Sequence, residues 1–288
     1  MNFHQWIGKA GAEMDLQALK DTPPWDWPEG TAEKLLSVLR DEQATEPDRV
    51  LAAEMAGDFT VVNDELVEAL LAILRNSEES PEVRARAAIS LGPILQYADT
   101  EGFEDPDDVP ISERHFQQIQ KSLRDLHMDA QVPKEVRRRI LEASVRAPQE
   151  WHKNAVLAAY SSGDNAWKLT AVFCMRFLGG FDKQIVEELE NENPDIQLEA
   201  VLAAANWGVA AGWPQIAALI HSGRTPKPLL LAAIEAVPAI RPQEASEVLS
   251  GLIESDDEDI IEAVQEALAI AEEPAGEGED DEDDIFPE

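Results

Sequence analysis

Apolar positions recur at helical spacing along most of this chain. In Ser80–Leu95, the residues Val83, Ala87, Ala88, Leu91, Ile94 and Leu95 fall on one face of a helix. Ser80 is placed to cap it by accepting a hydrogen bond from a free backbone N–H, and Pro81 fits the first turn, where no N–H partner is lost. Small residues in mid-helix let a neighbouring helix come close. The pattern predicts seven helix pairs: Thr31–Asp41 with Pro47–Gly57, Asn63–Arg75 with Pro81–Leu95, Ser112–Met128 with Lys134–Val145, Glu150–Ser161 with Asn165–Leu178, Asp182–Glu190 with Pro194–Trp207, Trp213–His221 with Pro226–Ile240, and Pro242–Glu254 with Asp257–Ala271. Before them, residues 1–30 predict an irregular aromatic cap. Trp6 and Ile7 open a short helix there, three prolines keep residues 22–28 out of helical conformation, and Trp25 and Trp27 pack over the end of the first pair.

The pairs are periodic. One small or aliphatic residue in each second helix (Ala53, Ala87, Ile140, Ala171, Ala200, Ala232 and Ala263) serves as an anchor, and the spacings are 34, 53, 31, 29, 32 and 31. A period of about 31 predicts a solenoid. The spacing of 53 marks an insertion, read as an acidic loop at Tyr97–Ile111 on the binding face. Asn193-Pro194 and Thr225-Pro226 repeat the cap-then-proline opening of Ser80-Pro81. Residues 272–288, with Glu-Gly-Glu-Asp-Asp-Glu-Asp-Asp, predict a disordered acidic tail.

Pro81-Glu-Val-Arg-Ala-Arg-Ala-Ala-Ile-Ser-Leu-Gly92 resembles the second helix of a HEAT repeat, and the short period resembles the variety named after the phycobilisome lyases. Pro133-Lys-Glu-Val-Arg-Arg-Arg-Ile and Pro194-Asp-Ile-Gln-Leu-Glu-Ala-Val are similar but looser. The resemblance implies an all-α chain whose residues 31–271 form one right-handed α-solenoid of about seven HEAT-like hairpins. It also implies a scaffold that holds partners against a curved surface of second helices. A bilin lyase or chaperone-like subunit is the alternative it brings with it.

Charge narrows the partners. The net charge of −35 excludes general binding to nucleic acid or an anionic membrane, both of which need an excess of Lys and Arg. Residues 1–74 carry 5 basic and 15 acidic side chains, residues 75–176 carry 14 and 16, and residues 177–288 carry 4 and 27. An acidic mimic of nucleic acid is therefore a further alternative. No apolar run reaches the roughly 18 residues that span a bilayer, and the first residues lack the pattern of a signal peptide, so a monomeric cytoplasmic protein is expected. Cys174, the single cysteine, reads as a buried apolar residue.

Catalytic motifs are missing. The resemblance to HEAT proteins brings in hydroxylases that hold two irons with His-Glu pairs, yet this chain has no His-Glu dipeptide. His4, His115, His127, His152 and His221 are scattered. The acidic insertion breaks the calcium-loop pattern at Pro106, no glycine loop cradles phosphate, and no Gly-x-Ser-x-Gly elbow occurs. The expectation is a chain that is not an enzyme, with no metal and no cofactor, and with an unidentified protein as partner.

The candidate interface is basic. Arg84, Arg137 and Lys168 stand three positions before their anchors, Arg86 and Arg139 stand one before, and Arg138 lies between. Stacked second helices would turn these columns into a cationic ladder that takes an acidic partner, with the tail at Asp280–Asp284 as an internal competitor. The other reading makes the arginines structural, paired with acids of adjoining repeats. Trp151 and Trp213, near turns, are candidate anchors for the partner.

Overall fold

The computed structural model describes residues 14–105 and 108–272. The expected tail beyond Glu272, residues 1–13 of the lead-in, and Pro106 and Asp107 of the insertion lie outside the described residues. All regular structure among the described residues is helical. In chain order the helices are α1 (Leu16–Lys20), α2 (Thr31–Arg40), α3 (Glu46–Met55), α4 (Asp64–Arg75), α5 (Pro81–Ser90), α6 (Gly92–Glu101), α7 (Glu113–Met128), α8 (Lys134–Ser144), α9 (Glu150–Tyr160), α10 (Asn165–Cys174), α11 (Asp182–Glu188), α12 (Pro194–Asn206), α13 (Trp213–His221), α14 (Lys227–Ile240), α15 (Ala245–Leu249) and α16 (Glu258–Glu272). Among the described residues no helix is long and apolar enough to cross a membrane.

Local chemistry sets the helix starts. Ser80 Oγ accepts from Val83 N–H at 3.2 Å, Asn63 Oδ1 from Leu66 N–H at 3.0 Å, and Asn193 Oδ1 from Asp195 N–H at 2.9 Å. Each cap is worth about 1 kcal/mol relative to alanine. Thr225 departs from the expected cap. Its hydroxyl donates to the Leu219 carbonyl at 2.7 Å, tying α14 back to α13 instead.

The chain divides into two compact units, residues 1–158 and 159–288. In the first, α3, α5 and α8 contact in succession, and so do α2, α4 and α7, giving two layers of helices. The facing residues are small or aliphatic: Ala52, Ala53, Ala87, Ala88, Val136 and Ile140 are fully buried. In the second unit, α10, α12, α14 and α16 form the corresponding succession, and α13 packs on α14 and α15. Ala171, Ala200 and Ala232 are buried there, and so is Cys174.

Three expectations need correction in the first unit. The helix predicted over Pro81–Leu95 breaks at Leu91, because Pro93 has no N–H and its ring crowds the carbonyl four residues back. A new helix, α6, then runs to Glu101, so the first part of the predicted loop is helical. The rest of that insertion is pinned. Val109 and Ile111 are buried, the Phe103 and Phe116 rings lie 5.4 Å apart, and Ser112 N–H donates to Asp64 Oδ1 at 2.8 Å. The lead-in also differs. Pro24–Asp26 forms one 3₁₀ turn, and Trp27 packs on the core with its indole N–H shared between the Leu19 and Thr22 carbonyls. Trp25 does not pack, and it is 78% exposed.

Candidate functional site

Most cations of the predicted ladder lie against carboxylates or a helix-end carbonyl. Arg84 is buried, and its Nε donates to the Leu74 carbonyl at 3.0 Å, satisfying one of the last orphan carbonyls of α4. Desolvation lowers its pKa, and the carboxylates of Asp129 and Glu79 oppose that shift. Arg49 makes the same reach to the Leu39 carbonyl at 3.3 Å, as does Gln197 Nε2 to the Leu189 carbonyl at 2.7 Å. In these three pairs a polar side chain ties the second helix to the end of its first helix. A structural role thus accounts for the periodic arginine of Val83-Arg84.

The arginines of α8 form a closed network. Arg138 is buried, with its guanidinium 2.8 Å from Glu135 and 3.7 Å from Glu142. Arg139 lies 2.6 Å from Glu142 and 3.2 Å from Glu135. Burial would lower the pKa of Arg139, but Glu142 and Glu135 more than reverse this and raise it. Arg137 is half-buried, and its carbonyl lies 3.2 Å from His127 Nδ1. Arg86 faces Glu54 at 3.6 Å. Lys168 bonds to Glu188 at 2.9 Å.

Glu188 is a buried carboxylate with a full set of donors. Besides Lys168, the Tyr160 hydroxyl donates to it at 2.7 Å and the Asn191 amide also donates. Burial would raise its pKa, yet these donors hold it below the usual carboxylate range. Burial and the Glu188 carboxylate together push the Tyr160 phenol upward. This cluster joins the end of α9 to α10 and α11.

Neither tryptophan anchor is free. Trp151 is 8% exposed, stacked on His152 at 3.8 Å and tilted against His127 at 5.2 Å, and its indole N–H donates to Gln149 Oε1 at 2.8 Å. Trp213 is half-buried and donates to Glu244 Oε2 at 2.9 Å. His152 itself is buried. Gln149 N–H lies 2.8 Å from its Nδ1, which is also 3.2 Å from the Gln149 carbonyl oxygen, and its Nε2 lies 3.0 Å from Ser144 Oγ. Desolvation lowers its pKa to about 4, opposed by the hydrogen bond at Gln149 and aided by the neighbouring His127.

Exposed aromatic rings gather elsewhere. Phe59, in the turn after α3, is 49% exposed, Tyr97 on α6 is 36% exposed, and the two rings meet edge to face at 5.2 Å. Asp58, next to Phe59 in the chain, and Pro93, one turn before Tyr97, line a hollow of about 320 Å³ together with Trp27, Leu51, Met55, Lys20 and Glu54. Sequence reasoning missed this surface. Phe59 sits between helices, outside any apolar stripe, and Tyr97 was assigned to a loop. Among the described residues no group of three or more His, Cys, Asp or Glu side chains is placed to hold a metal ion.

No family model matches the sequence, and no curated protein does. Solved structures are similar to it at low identity. Human deoxyhypusine hydroxylase in complex with glycerol is 17% identical over 90% of this chain and 89% of its own, with a TM-score of 0.40. The Escherichia coli YibA protein is 15% identical over 85% and 84%, with a TM-score of 0.48. An engineered protein is 18% identical over 89% and 70%, with a TM-score of 0.47. The first of these is an enzyme, which overturns the expectation that a chain of this kind is not one. At this level of likeness it assigns no activity to the present chain.

Proposed function

We propose that this chain is a protein-interaction scaffold or assembly factor, built as a right-handed solenoid of about seven HEAT-like hairpins of the short phycobilisome-lyase-like type, and that it works in the cytoplasm. The observation that carries the function is the exposed aromatic pair Phe59–Tyr97 beside an apolar hollow on second helix α3. Large exposed rings grouped at a hollow mark interaction surfaces, since isolated folding gives no reason to leave them in water. Four residues of the basic columns are less available to a partner, because Arg84 is held by a helix-end carbonyl and Arg138, Arg139 and Lys168 by carboxylates.

A pull-down from native lysate tests this reading. The intact chain is expected to retain one protein at fixed stoichiometry, as an assembly factor would. Retention of no protein at fixed stoichiometry would overturn it.

A further inference from the structure

The hollow beside Phe59 and Tyr97 is the middle one of three that share walls. It is joined by Pro24 and Trp27 to a second of about 310 Å³, which Trp25 also lines, and by Leu51 and Glu54 to a third of about 330 Å³. Successive hollows with shared walls make a track. An extended peptide, advancing about 3.3 Å per residue with alternate side chains on one side, fits such a track.

The walls are apolar and the rims are acidic. Glu29 and Glu33 border one end, Glu54 and Asp58 the middle, and Glu46 and Glu82 the other end; Lys20 is the one cation among the described lining residues, and Arg86 faces Glu54 at 3.6 Å. The open faces of Trp25, Phe59 and Tyr97 add ring quadrupoles that attract guanidinium and ammonium groups. A second copy of this chain is a poor occupant, since each copy carries a net charge of −35.

We infer that this track on the first unit binds an extended segment of a basic partner protein, in which arginine or lysine residues alternate with apolar ones. The inference deepens the scaffold reading and rests on it. The apolar side chains enter the three hollows, and the cations meet the acidic rim and the exposed rings.

The test uses a fluorescent peptide of alternating arginine and leucine with the full-length chain, read by anisotropy at about 150 mM salt, where long-range attraction to a charged surface is screened. Binding is expected. It should weaken at least about 10-fold in a Phe59→Ala, Tyr97→Ala double variant, since two lost stacking contacts of about 1 kcal/mol each exceed that factor. It should also weaken when glutamate replaces arginine in the peptide or serine replaces leucine. A Glu258→Lys, Glu262→Lys variant on α16 should bind as the parent does. Equal weakening by the α16 variant would show non-specific charge attraction and overturn the inference, and so would indifference to the aromatic variant. Dissociation of dimers by the peptide, seen in sedimentation, would assign the track to a second copy and overturn it as well. If the peptide fails while the lysate pull-down still retains a stoichiometric protein, the inference alone falls. If the pull-down retains nothing, the scaffold reading falls too.

Discussion

Lowering the pH from 7.5 to 5.0 should cost the first unit about 2 kcal/mol through His152 alone. The imidazole is buried between Trp151, Gln149 and Ser144, and its Nδ1 accepts the Gln149 N–H. A second proton would place a positive charge in a site that water does not reach, and the Gln149 carbonyl 3.2 Å from Nδ1 offsets only part of that cost. The folded pKa is therefore about 4 against an ordinary value of 6.5. The unfolded chain binds more protons than the folded one between these values, so stability rises with pH across that window. Each pKa unit is worth 1.36 kcal/mol, and at pH 5.0 about 1.5 of the 2.5 units have been traversed, giving the figure of about 2 kcal/mol. His127, whose pKa burial also lowers, adds to the loss in the same direction. The assay is urea unfolding of the parent and of His152→Gln at both pH values. Glutamine in the first turn of α9 can still accept the Gln149 N–H but cannot titrate. The parent should lose about 2 kcal/mol more than the variant on acidification. Parallel losses would refute the neutral, Nδ1-accepting histidine.

The remaining predictions concern the ties between helices. Glu142→Ala should cost about 3 kcal/mol, because it removes the buried carboxylate shared by Arg138 and Arg139, whereas Glu135→Ala, at a half-exposed position, should cost under about 1 kcal/mol; thermal unfolding separates them. Arg84→Met should cost about 1 to 3 kcal/mol by leaving the Leu74 carbonyl unpaired, and amide exchange at the end of α4 should quicken. Gly57→Ala should cost about 1 to 3 kcal/mol in urea unfolding, since the added methyl would lie 2.1 Å from the Ser90 carbonyl oxygen. Trp25→Ala should leave stability within about 0.5 kcal/mol by the same measurement, since the ring is solvent-exposed.

The helices were legible because their signals are local. Caps such as Ser80 and Asn63 and the apolar stripes act within a turn or two, so spacing alone located most of the elements. The break at Leu91 was also written locally, in Pro93, but the continuous apolar stripe from Val83 to Leu95 masked it. The insertion misled for the opposite reason. Its acidic composition reads as loop, while Val109 and Ile111 are buried, Phe103 packs on Phe116, and Ser112 N–H is held by Asp64 of α4, 48 residues earlier. A column of arginines has the same sequence signature whether the side chains face a partner or reach back to a carbonyl ten residues earlier, as Arg84 does. Only the three-dimensional partner distinguishes the two.

The fate of the cations changes the chemistry of the whole surface. Of the basic residues predicted to form an interface, Arg84 ends a helix, Arg138 and Arg139 share Glu135 and Glu142, and Lys168 serves the buried Glu188. Their charge is spent inside the fold, on carboxylates and carbonyls that would otherwise lack donors. Each such pair removes one acid with one base, so what a partner meets is set locally, by carboxylates such as Glu29, Glu33, Glu54 and Asp58 around the hollows. A partner approaching the first unit meets carboxylates around an aromatic hollow. The partner we infer is accordingly basic, where the arginine columns of the sequence suggested an acidic one.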